Sequence, residues 1–225
     1  MSNSGRETEA KFYVLDLRRL ERHLQDLGAR LVQSRILERN IRFDLPDARL
    51  RAERRVLRLR QDIQARLTYK SASSDQDGVL SRTEIEFIVE DFEKAKAFLN
   101  ALGYESFFYY EKYRTTYTLD SARSHDLVSS QRHGETAGGY DCHIMLDEMP
   151  YGDFVEIEGE TVESIRHVSD AMHLNWDAAI AASYYAIFRH LCEKRPDLDP
   201  TRLSFAALNG VKITAEDLYV QPADA

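Results

Sequence analysis

A strand-like stretch near the start of the chain separates charged from apolar side chains. It begins at Glu7 and reads Glu-Thr-Glu-Ala-Lys-Phe-Tyr-Val. Because successive side chains of a strand point to opposite faces, Glu7, Glu9 and Lys11 share one face. Phe12 and Val14 share the other face, which can pack on a core. One such strand ordinarily has its charged face in solvent, but the pattern recurs along the chain and therefore restricts the fold.

Later strand-like stretches repeat this alternation of charged side chains. The acids that share a phase are Glu7, Glu9, Glu84, Glu86, Asp147, Glu156 and Glu158. The bases that share a phase are Lys11, Arg58, Arg60, Lys70, Arg82, Lys112 and Arg114. Phase alone leaves two arrangements open. Facing outward, the side chains form exposed ion pairs worth about 0–1 kcal/mol each. Facing inward, they line a closed barrel and need partners or a bound ligand.

One segment of the chain occurs twice, at residues 14–28 and 89–103. Each copy has an Asp suited to capping a helix, Asp16 or Asp91, then apolar residues at helical spacing, and a final Gly. Two copies are too few for a solenoid. They indicate one fold with two related halves, each a sheet segment with a helix outside it.

The apolar faces of the strands favour the inward arrangement of the charges. These faces carry Phe12, Val14, Leu57, Leu59, Ile85, Phe87, Val155 and Ile157. They need the helices as cover, so the charged faces must be enclosed. We therefore predict an α+β fold in which a closed antiparallel barrel has helices on its outside and charges in its lumen.

A lumen of mixed charge indicates a ligand that is itself highly charged. Lys and Arg bind phosphate oxygens, and Arg does so through two parallel hydrogen bonds. Clustered Asp and Glu side chains bind hard cations such as Mg²⁺ or Mn²⁺. A linear triphosphate with divalent cations meets both requirements.

The remaining segments indicate helices, an insertion and a tail. Amphipathic helices are predicted at residues 161–174 and 177–192, and the second is apolar enough to cover one mouth of the sheet or to pack between the two halves. Residues 121–142 are polar and contain glycines, which indicates an inserted surface loop. We expect one domain at residues 1–192 and a C-terminal appendage at residues 193–225 with one or two short helices.

The length, net charge and cysteine content of the chain limit the classes of protein to which it can belong. A length of 225 residues suffices for one large domain or two small ones. The net charge of −8 argues against nucleic acid or an anionic membrane as a partner. No apolar run approaches the roughly 18–20 residues that span a bilayer, and Cys142 and Cys192 provide no disulfide framework. We expect a soluble, cytoplasmic protein without nucleic-acid or membrane partners.

The ordered set of charged motifs resembles the CYTH superfamily, the triphosphate tunnel metalloenzymes. In chain order the motifs are Glu7-x-Glu9-x-Lys11, Arg58-x-Arg60, Lys70, Arg82-x-Glu84-x-Glu86, Lys112-x-Arg114, Asp147 and Glu156-x-Glu158. The chain is most similar to the class IV adenylyl cyclase and thiamine triphosphatase branch, through the blocks at residues 111–114 and 152–158 and through Ser183-Tyr184. The resemblance covers residues 5–192, although the insertion and the tail carry none of these motifs.

The resemblance implies an eight-stranded antiparallel tunnel and a role for each charged residue. The implied ligands of one or two Mg²⁺ or Mn²⁺ ions are Glu7, Glu9, Asp147, Glu156 and Glu158. The implied triphosphate-binding residues are Lys11, Arg58, Arg60, Lys70, Arg82, Lys112 and Arg114. The implied catalytic residues are Glu9, Lys11, Glu84 and Glu86, of which the last two support the metals or orient basic residues and water. The branch is also compatible with a homodimer.

The resemblance implies metal-assisted cleavage of a triphosphate and leaves the particular reaction open. The leading expectation is a class IV adenylyl cyclase, in which the ribose 3′-oxygen of ATP attacks the α-phosphate and yields cyclic AMP and pyrophosphate. The alternative is an inorganic tripolyphosphatase or thiamine triphosphatase, in which water attacks a terminal phosphate. A third hypothesis is a non-catalytic module that binds polyphosphate or nucleotide, although such a binder gains nothing from so many carboxylates.

Overall fold

The fold is described from a computed structural model, which covers residues 5–76, 78–120 and 141–225. Its strands are β1 (Arg6–Val14), β2 (Arg30–Asp44), β3 (Val56–Gln61), β4 (Ala65–Lys70), β5 (Ser74–Gln76), β6 (Val79–Val89), β7 (Glu105–Asp120), β8 (Asp141–Met149), β9 (Gly152–Glu158) and β10 (Arg202–Leu203). Its α-helices are α1 (Leu17–Asp26), α2 (Arg49–Ala52), α3 (Phe92–Ala101), α4 (Val162–Ala171) and α5 (Tyr184–Lys194), and a 3₁₀ helix spans Trp176–Ala178. Among these helices, none has the length and apolar character needed to cross a membrane.

Most of the strands pair edge to edge and close into a ring. Their order around the ring is β1, β9, β8, β7, β2, β3, β4 and β6, and β6 pairs with β1 to close it. All pairings within the ring are antiparallel. Strand β5 pairs with β6 and β10 pairs with β7 outside this ring. The predicted α+β class and closed eight-stranded antiparallel ring are therefore confirmed.

The two halves of the ring have the same order of elements, which explains the repeat in the sequence. Apart from the four-residue helix α2 between β2 and β3, the first half runs β1–α1–β2–β3–β4 and the second runs β6–α3–β7–β8–β9. Asp16 caps α1 and Asp91 caps α3, and each accepts a hydrogen bond of 2.9 Å from the backbone N–H three residues later. Gly28 and Gly103 follow the helices with φ angles of 78° and 87°, a left-handed conformation that suits glycine.

The hydrophobic cluster with the most buried residues lies outside the ring, between the strands and the helices. Val155 and Ile157 on the outer face of β9 are fully buried, in one cluster with Leu24 of α1 and Ile165 of α4. Helix α4 is the helix predicted at residues 161–174. A second cluster lies at the end of the ring under α5, where the inner-face side chains Tyr13 and Phe154 pack against Tyr184 and Phe188. The rest of the inner face is left to charged side chains.

One part of the outer surface stays uncovered, contrary to the sequence prediction. Ile85 and Phe87 on β6 are 55% and 53% exposed. Helix α3, which follows β6 in the chain, packs against β3 and β4 instead, and Leu59 is buried there. The prediction that helices cover every apolar strand face is wrong for Ile85 and Phe87.

The fourth predicted helix begins later than expected. The prediction placed it at residues 177–192, whereas α5 begins at Tyr184. Ser183 sets this start, because its hydroxyl caps the helix by accepting a backbone N–H hydrogen bond of 3.2 Å. The chain before it runs beside β1, where the N–H of Ile180 donates to the carbonyl of Lys11 at 2.8 Å.

The predicted insertion at residues 121–142 ends earlier than expected. Residues 121–140 lie outside the described part of the chain, and Asp141 and Cys142 already belong to β8. Cys142 is fully buried in the outer core. This burial explains why the strand includes Cys142 although the sequence before it is polar.

The C-terminal segment folds back onto the ring. Turns at residues 205–210 and 215–219 take the place of the one or two short helices predicted there. The second turn is closed locally, because the Asp217 carboxylate accepts hydrogen bonds from both the N–H and the hydroxyl of Thr214. Strand β10 runs parallel to β7, and Pro222 forms a bridge to Tyr13. The domain boundary at residue 192 stays a prediction.

Asp224 attaches the end of the chain to the junction of β1 and α1. Its carboxylate accepts the N–H groups of Leu15 at 2.8 Å and Asp16 at 3.0 Å, and Arg19 lies 3.3 Å away. Asp224 is only 9% exposed. These contacts satisfy backbone donors that the connection between strand and helix leaves unpaired.

We expect Asp224→Ala to destabilise the protein by about 1–3 kcal/mol, because two backbone N–H groups lose their buried acceptor. A loss of this size lowers the melting temperature by roughly 2–4 °C for each kcal/mol. The matched control is Asp26→Ala, which changes an exposed residue at the end of α1. Equal melting temperatures for the two variants would contradict this account of the tail.

Candidate active site

The ring encloses a cavity of about 640 Å³ that is lined mainly by charged side chains. Of the charged residues selected from the sequence, all except Asp147 line it, and Asp147 is fully buried in the wall. The selected residues in the lining are Glu7, Glu9, Lys11, Arg58, Arg60, Lys70, Arg82, Glu84, Glu86, Lys112, Arg114, Glu156 and Glu158. The inward arrangement is therefore the one adopted, and an exposed ladder of ion pairs is wrong.

Three carboxylates meet where β1 and β9 pair. Glu9 lies opposite Glu158 in the register, and Glu7 is two residues before Glu9 on the same face. Glu7 has two close bases, since Lys70 Nζ donates to it at 2.5 Å and Arg82 Nε at 2.8 Å. Glu9 has a longer contact of 3.5 Å with Arg82. The carboxylates are therefore unequally neutralised.

The pKa values of these carboxylates reflect how closely basic side chains approach each of them. Burial acts to raise the pKa of Glu7, but Lys70 and Arg82 outweigh it and hold the pKa at about 2. Burial, followed by the charges of Glu7 and Glu9, raises the pKa of Glu158 to about 7. Burial and nearby carboxylates also raise the pKa of Glu9. Ionisation of Glu9 and Glu158 is therefore disfavoured in the folded protein, whereas that of Glu7 is favoured.

Asp147 on β8 is held by three donors. Lys112 Nζ lies 2.8 Å from Oδ2, Arg114 Nε lies 2.6 Å from Oδ1, and the Tyr184 hydroxyl lies 2.7 Å from Oδ2. Both carboxylate oxygens are therefore engaged, and the two bases of β7 are fixed beside the cavity. The role of Asp147 as a metal ligand stays a prediction.

Glu156 on β9 lies between two cations. Lys11 Nζ is 3.2 Å from its Oε1, and Arg114 donates to its Oε2. Burial acts to raise the pKa of Glu156, but these cations outweigh it and hold the pKa well below its ordinary value. Lys11 also donates to the carbonyl of Ala182 at 3.2 Å and lies 4.3 Å from the centre of the Tyr184 ring. The metal role of Glu156 likewise stays a prediction.

A basic wall lies across the ring from β9. Arg58 and Arg60 of β3 approach Glu86 of β6 at 3.6 Å and 3.1 Å. Glu84 lies 3.1 Å from Lys70. Glu84 and Glu86 are placed as expected for carboxylates that orient basic residues, and their catalytic role stays a prediction.

The sequence reasoning missed the inner face of β2. Glu38, Asn40 and Arg42 point into the ring and are 3%, 0% and 9% exposed. Glu38 lies 3.5 Å from Arg60 and therefore belongs to the network of ion pairs. These three polar residues alternate along the strand and could have been recognised as an inner face. Arg39, which lies between Glu38 and Asn40 on the exposed face, is also charged and hides this alternation.

Helix α5 closes one end of the cavity, as the sequence predicted for its fourth helix. Ser183, Tyr184 and Tyr185 from its first turn line the cavity. Tyr110 of β7 also lines it, and its hydroxyl lies 3.5 Å from Arg58. The aromatic contribution to the lining was not foreseen, because sequence phase was applied to charged residues alone.

The carboxylates of β1 and β9 fit a hard divalent cation by their chemistry. Within residues 5–76, 78–120 and 141–225, no three Asp, Glu, His or Cys side chains are grouped as a ready-made metal site. Carboxylate oxygens are nevertheless the ligands that Mg²⁺ and Mn²⁺ prefer. A cation bound beside Glu9 and Glu158 would offset the repulsion between carboxylates that contributes to their raised pKa values.

A closed antiparallel ring with paired acids and bases inside defines a tunnel of strands whose interior is highly charged. The chain belongs to the CYTH domain family, whose model matches residues 5–177. Members of this family typically act on triphosphates and generally depend on a divalent metal. A comparison with curated proteins gave no match.

Several solved structures share the fold. A Vibrio parahaemolyticus protein provisionally assigned as an adenylate cyclase has a TM-score of 0.63 and 18% identity, over 81% of this chain and 97% of its own. The Pyrococcus horikoshii protein PH1012 has a TM-score of 0.59 and 22% identity, over 79% of this chain and 96% of its own. A Hippeastrum protein, provisionally an adenylyl cyclase but with a dominant triphosphatase activity, has a TM-score of 0.54 and 17% identity, over 81% and 95%. At these identities the likeness shows the fold alone.

Because the pKa of Glu158 is raised, we expect the stability of the metal-free protein to depend on pH. Unfolded, Glu158 ionises near its ordinary value of 4.5, whereas in the folded protein its pKa is about 7. The stability that this group contributes is therefore fully present below about pH 4.5 and is lost as the pH rises to about 7. Gln resembles the neutral carboxyl and carries no such penalty.

We expect Glu158→Gln to melt at a higher temperature than the wild type at pH 8, and this advantage to shrink towards pH 5. The measurement is thermal unfolding in EDTA across this range, with Glu105→Gln at an exposed position of β7 as the control. A difference between Glu158→Gln and the wild type that does not change with pH would refute the raised pKa.

Proposed function

We propose that this protein is a divalent-metal-dependent enzyme that cleaves a triphosphate inside the ring. The observation that carries the proposal is the division of the cavity. Four carboxylates and Lys11 lie on β1 and β9, bases lie on β3, β4 and β7, and β6 carries both signs. A triphosphate with its metal has the same division of charge. A homodimer and a cytoplasmic location stay predictions.

The phosphate chain would be held by the bases that the carboxylates already orient. Arg114 uses its guanidinium to contact Asp147 and Glu156, and Arg58 and Arg60 contact Glu86. A guanidinium has five N–H donors, so an Arg can keep its carboxylate partner and still donate to phosphate. The ion pairs of the free protein therefore preorganise the site for phosphate binding.

Glu9 and Glu158, together with Glu7, are the residues that would hold the cation. When bound, the cation supplies charge neutralisation at the phosphate oxygens and activation of the attacking oxygen. Lys11 lies between Glu156 and the ring of Tyr184. Its ammonium is thereby held where it can stabilise negative charge that develops on a phosphate.

The composition of the lining favours hydrolysis as the reaction. Apart from Ile85, which belongs to the exposed outer face of β6, its aliphatic and thioether members are Val56, Leu80 and Met145, one on each of three strands. Its aromatic members already have charged neighbours: the Tyr110 hydroxyl lies 3.5 Å from Arg58, and the rings of Tyr184 and Tyr185 lie 4.3 Å from Lys11 and 5.1 Å from Arg42. The cavity therefore offers a nucleobase little free apolar surface. We therefore place attack of water on a terminal phosphate first, with inorganic tripolyphosphate or thiamine triphosphate as the substrate.

The volume of the cavity favours a second candidate, the adenylyl cyclase. About 640 Å³ lies within the range of roughly 300–1,000 Å³ typical of sites for drug-sized ligands. Such a cavity has room for a nucleoside beside the phosphates. The ribose 3′-oxygen would then attack the α-phosphate, and pyrophosphate would leave.

Product analysis tests the proposal. The purified protein is incubated with Mg²⁺ or Mn²⁺ and, separately, with tripolyphosphate, thiamine triphosphate and ATP. Orthophosphate without cyclic AMP supports the hydrolase, and cyclic AMP with pyrophosphate supports the cyclase. Saturable binding of triphosphates without any product would show a non-catalytic binding module and refute the enzyme.

We expect Glu9→Gln to lose turnover by about 10²-fold or more while the fold is retained, because the cation loses a charged ligand. Initial rates and circular dichroism of the variant are compared with those of Glu93→Gln, which changes an exposed residue of α3. Turnover within about twofold of the wild type would remove Glu9 from the metal site.

A further inference from the structure

One edge of β6 is unpaired where this strand runs past the start of β1. The register between the two strands ends at Arg6 and Thr83, and the last hydrogen bond joins the N–H of Glu84 to the carbonyl of Gly5 at 2.7 Å. Strand β6 continues to Val89, and β4 pairs with its other side over this length. Within residues 5–76, 78–120 and 141–225, no strand pairs with the β1 side of β6 beyond Glu84.

This edge presents backbone hydrogen-bonding groups and apolar side chains together. In an antiparallel ladder, the N–H and C=O of one residue face one neighbour and those of the next residue face the other. Because the N–H of Glu84 faces β1, the backbone groups of Glu86 and Ile88 face the same side. The side chains of Ile85, Phe87 and Ile88 are 55%, 53% and 58% exposed. An open strand edge with exposed apolar side chains is a template for pairing with another chain.

The corresponding edge in the other half of the ring is covered by the chain itself. The carbonyl of Lys11 accepts the N–H of Ile180 at 2.8 Å, and the carbonyl of Tyr13 accepts the N–H of Ala223 at 2.9 Å. The first of these segments precedes α5 and the second belongs to the C-terminal tail. Both lie along the side of β1 that faces away from β9.

The sequence repeat relates these two edges residue by residue. Its copies are 75 residues apart, which places Lys11 on Glu86 and Tyr13 on Ile88. The carbonyls of the two β1 residues have partners, whereas those of the two β6 residues have none on this side among the described residues. The fold thus has the same edge in both halves, and the described part of the chain covers only one of them.

We propose that the open edge of β6 pairs antiparallel with β6 of a second copy of this chain, about a two-fold axis at Phe87. In this register Ile85 of each copy lies opposite Val89 of the other, and the two Phe87 side chains lie opposite each other. Glu86 lies opposite Ile88, so the backbone groups that face outward pair with one another. The inference does not depend on the proposed function, and it assigns a surface to the homodimer that the family resemblance leaves unspecified.

The sequence of β6 favours this register over its neighbours. A register that keeps the outward backbone groups in contact can shift only by two residues at a time. One such shift places Glu86 opposite Glu86, and the other places it opposite Glu90. Like charges directly opposite each other are destabilising, whereas aromatic pairs across two strands are favourable. The segment from Ile85 to Val89 is therefore complementary to itself, which is what a two-fold interface requires.

The oligomeric state in solution tests the proposal. Molar mass is measured by light scattering after size-exclusion chromatography, at about 1–100 μM protein. We expect a dimer for the wild type and at least about tenfold weaker dimerisation for Phe87→Lys, because two ammonium groups would face each other at the axis. The control Leu31→Lys adds the same charge at a 50% exposed position of β2, three strands away around the ring, and we expect it to remain dimeric.

A cysteine at the axis tests the register. Directly opposite residues that share no hydrogen bonds have Cα atoms about 4.5 Å apart, within the range of about 4.4–6.8 Å that a disulfide spans. We expect Phe87→Cys to form a covalent dimer when oxidised glutathione takes up the electrons of the two thiols. The wild type, which has Cys142 and Cys192, and the control Leu31→Cys are expected to stay unlinked on a non-reducing gel.

A wild type that stays monomeric over this concentration range would overturn the inference and leave the edge to a segment of a different protein. Dimerisation of Phe87→Lys equal to that of the wild type would also overturn it, because the dimer would then use another surface. If Phe87→Lys fails to fold by circular dichroism, Phe87→Cys decides, and the absence of a covalent dimer overturns the inference.

Discussion

The ring removes many acidic and basic side chains from water, and these side chains neutralise one another in ion pairs. The rest of the structure depends on this interaction. A lone carboxylate or guanidinium is strongly unfavourable in such a place, whereas a pair with well-aligned hydrogen bonds is tolerated. Asp147 shows how this works, since it is fully buried and bound by Lys112, Arg114 and Tyr184. These donors come from β7 and α5, so ring closure, the position of the helix and the orientation of the bases are fixed together.

This arrangement inverts the usual relation between core and surface. Because much of the ring's interior holds charges, a large share of the apolar burial that stabilises the fold comes from the outside. Val155 and Ile157 provide it against α1 and α4, and the tail adds a further layer through Leu203 and Leu218. The apolar part of the inner face lies chiefly at the end under α5, where Tyr13 and Phe154 pack against Tyr184 and Phe188. The charges inside the ring do not cancel everywhere: carboxylates are in excess around Glu9 and Glu158, and Arg42 forms no ion pair within the described residues. This distribution of charge suits a ligand that consists of a cation and an anion.

The phase of charged residues in short strands predicted most of the site, because a two-residue period leaves little choice of face. The same period failed on β2, where Arg39 places a charge on the outer face and hides Glu38, Asn40 and Arg42. The number of strands in the ring came from the family resemblance, and their order was not predicted, since pairing between distant strands leaves no local signal. The late start of α5 depends on the Ser183 cap and on backbone pairing with β1, which periodicity does not record.

The most direct test of the central claim is a crystal structure with imidotriphosphate and Mn²⁺, with anomalous diffraction to locate the metal. The account predicts the phosphate chain inside the ring, in contact with the bases of β3 and β7, and a manganese peak beside Glu9 and Glu158. A phosphate chain bound outside the ring, or manganese bound away from the carboxylates of β1 and β9, would contradict it.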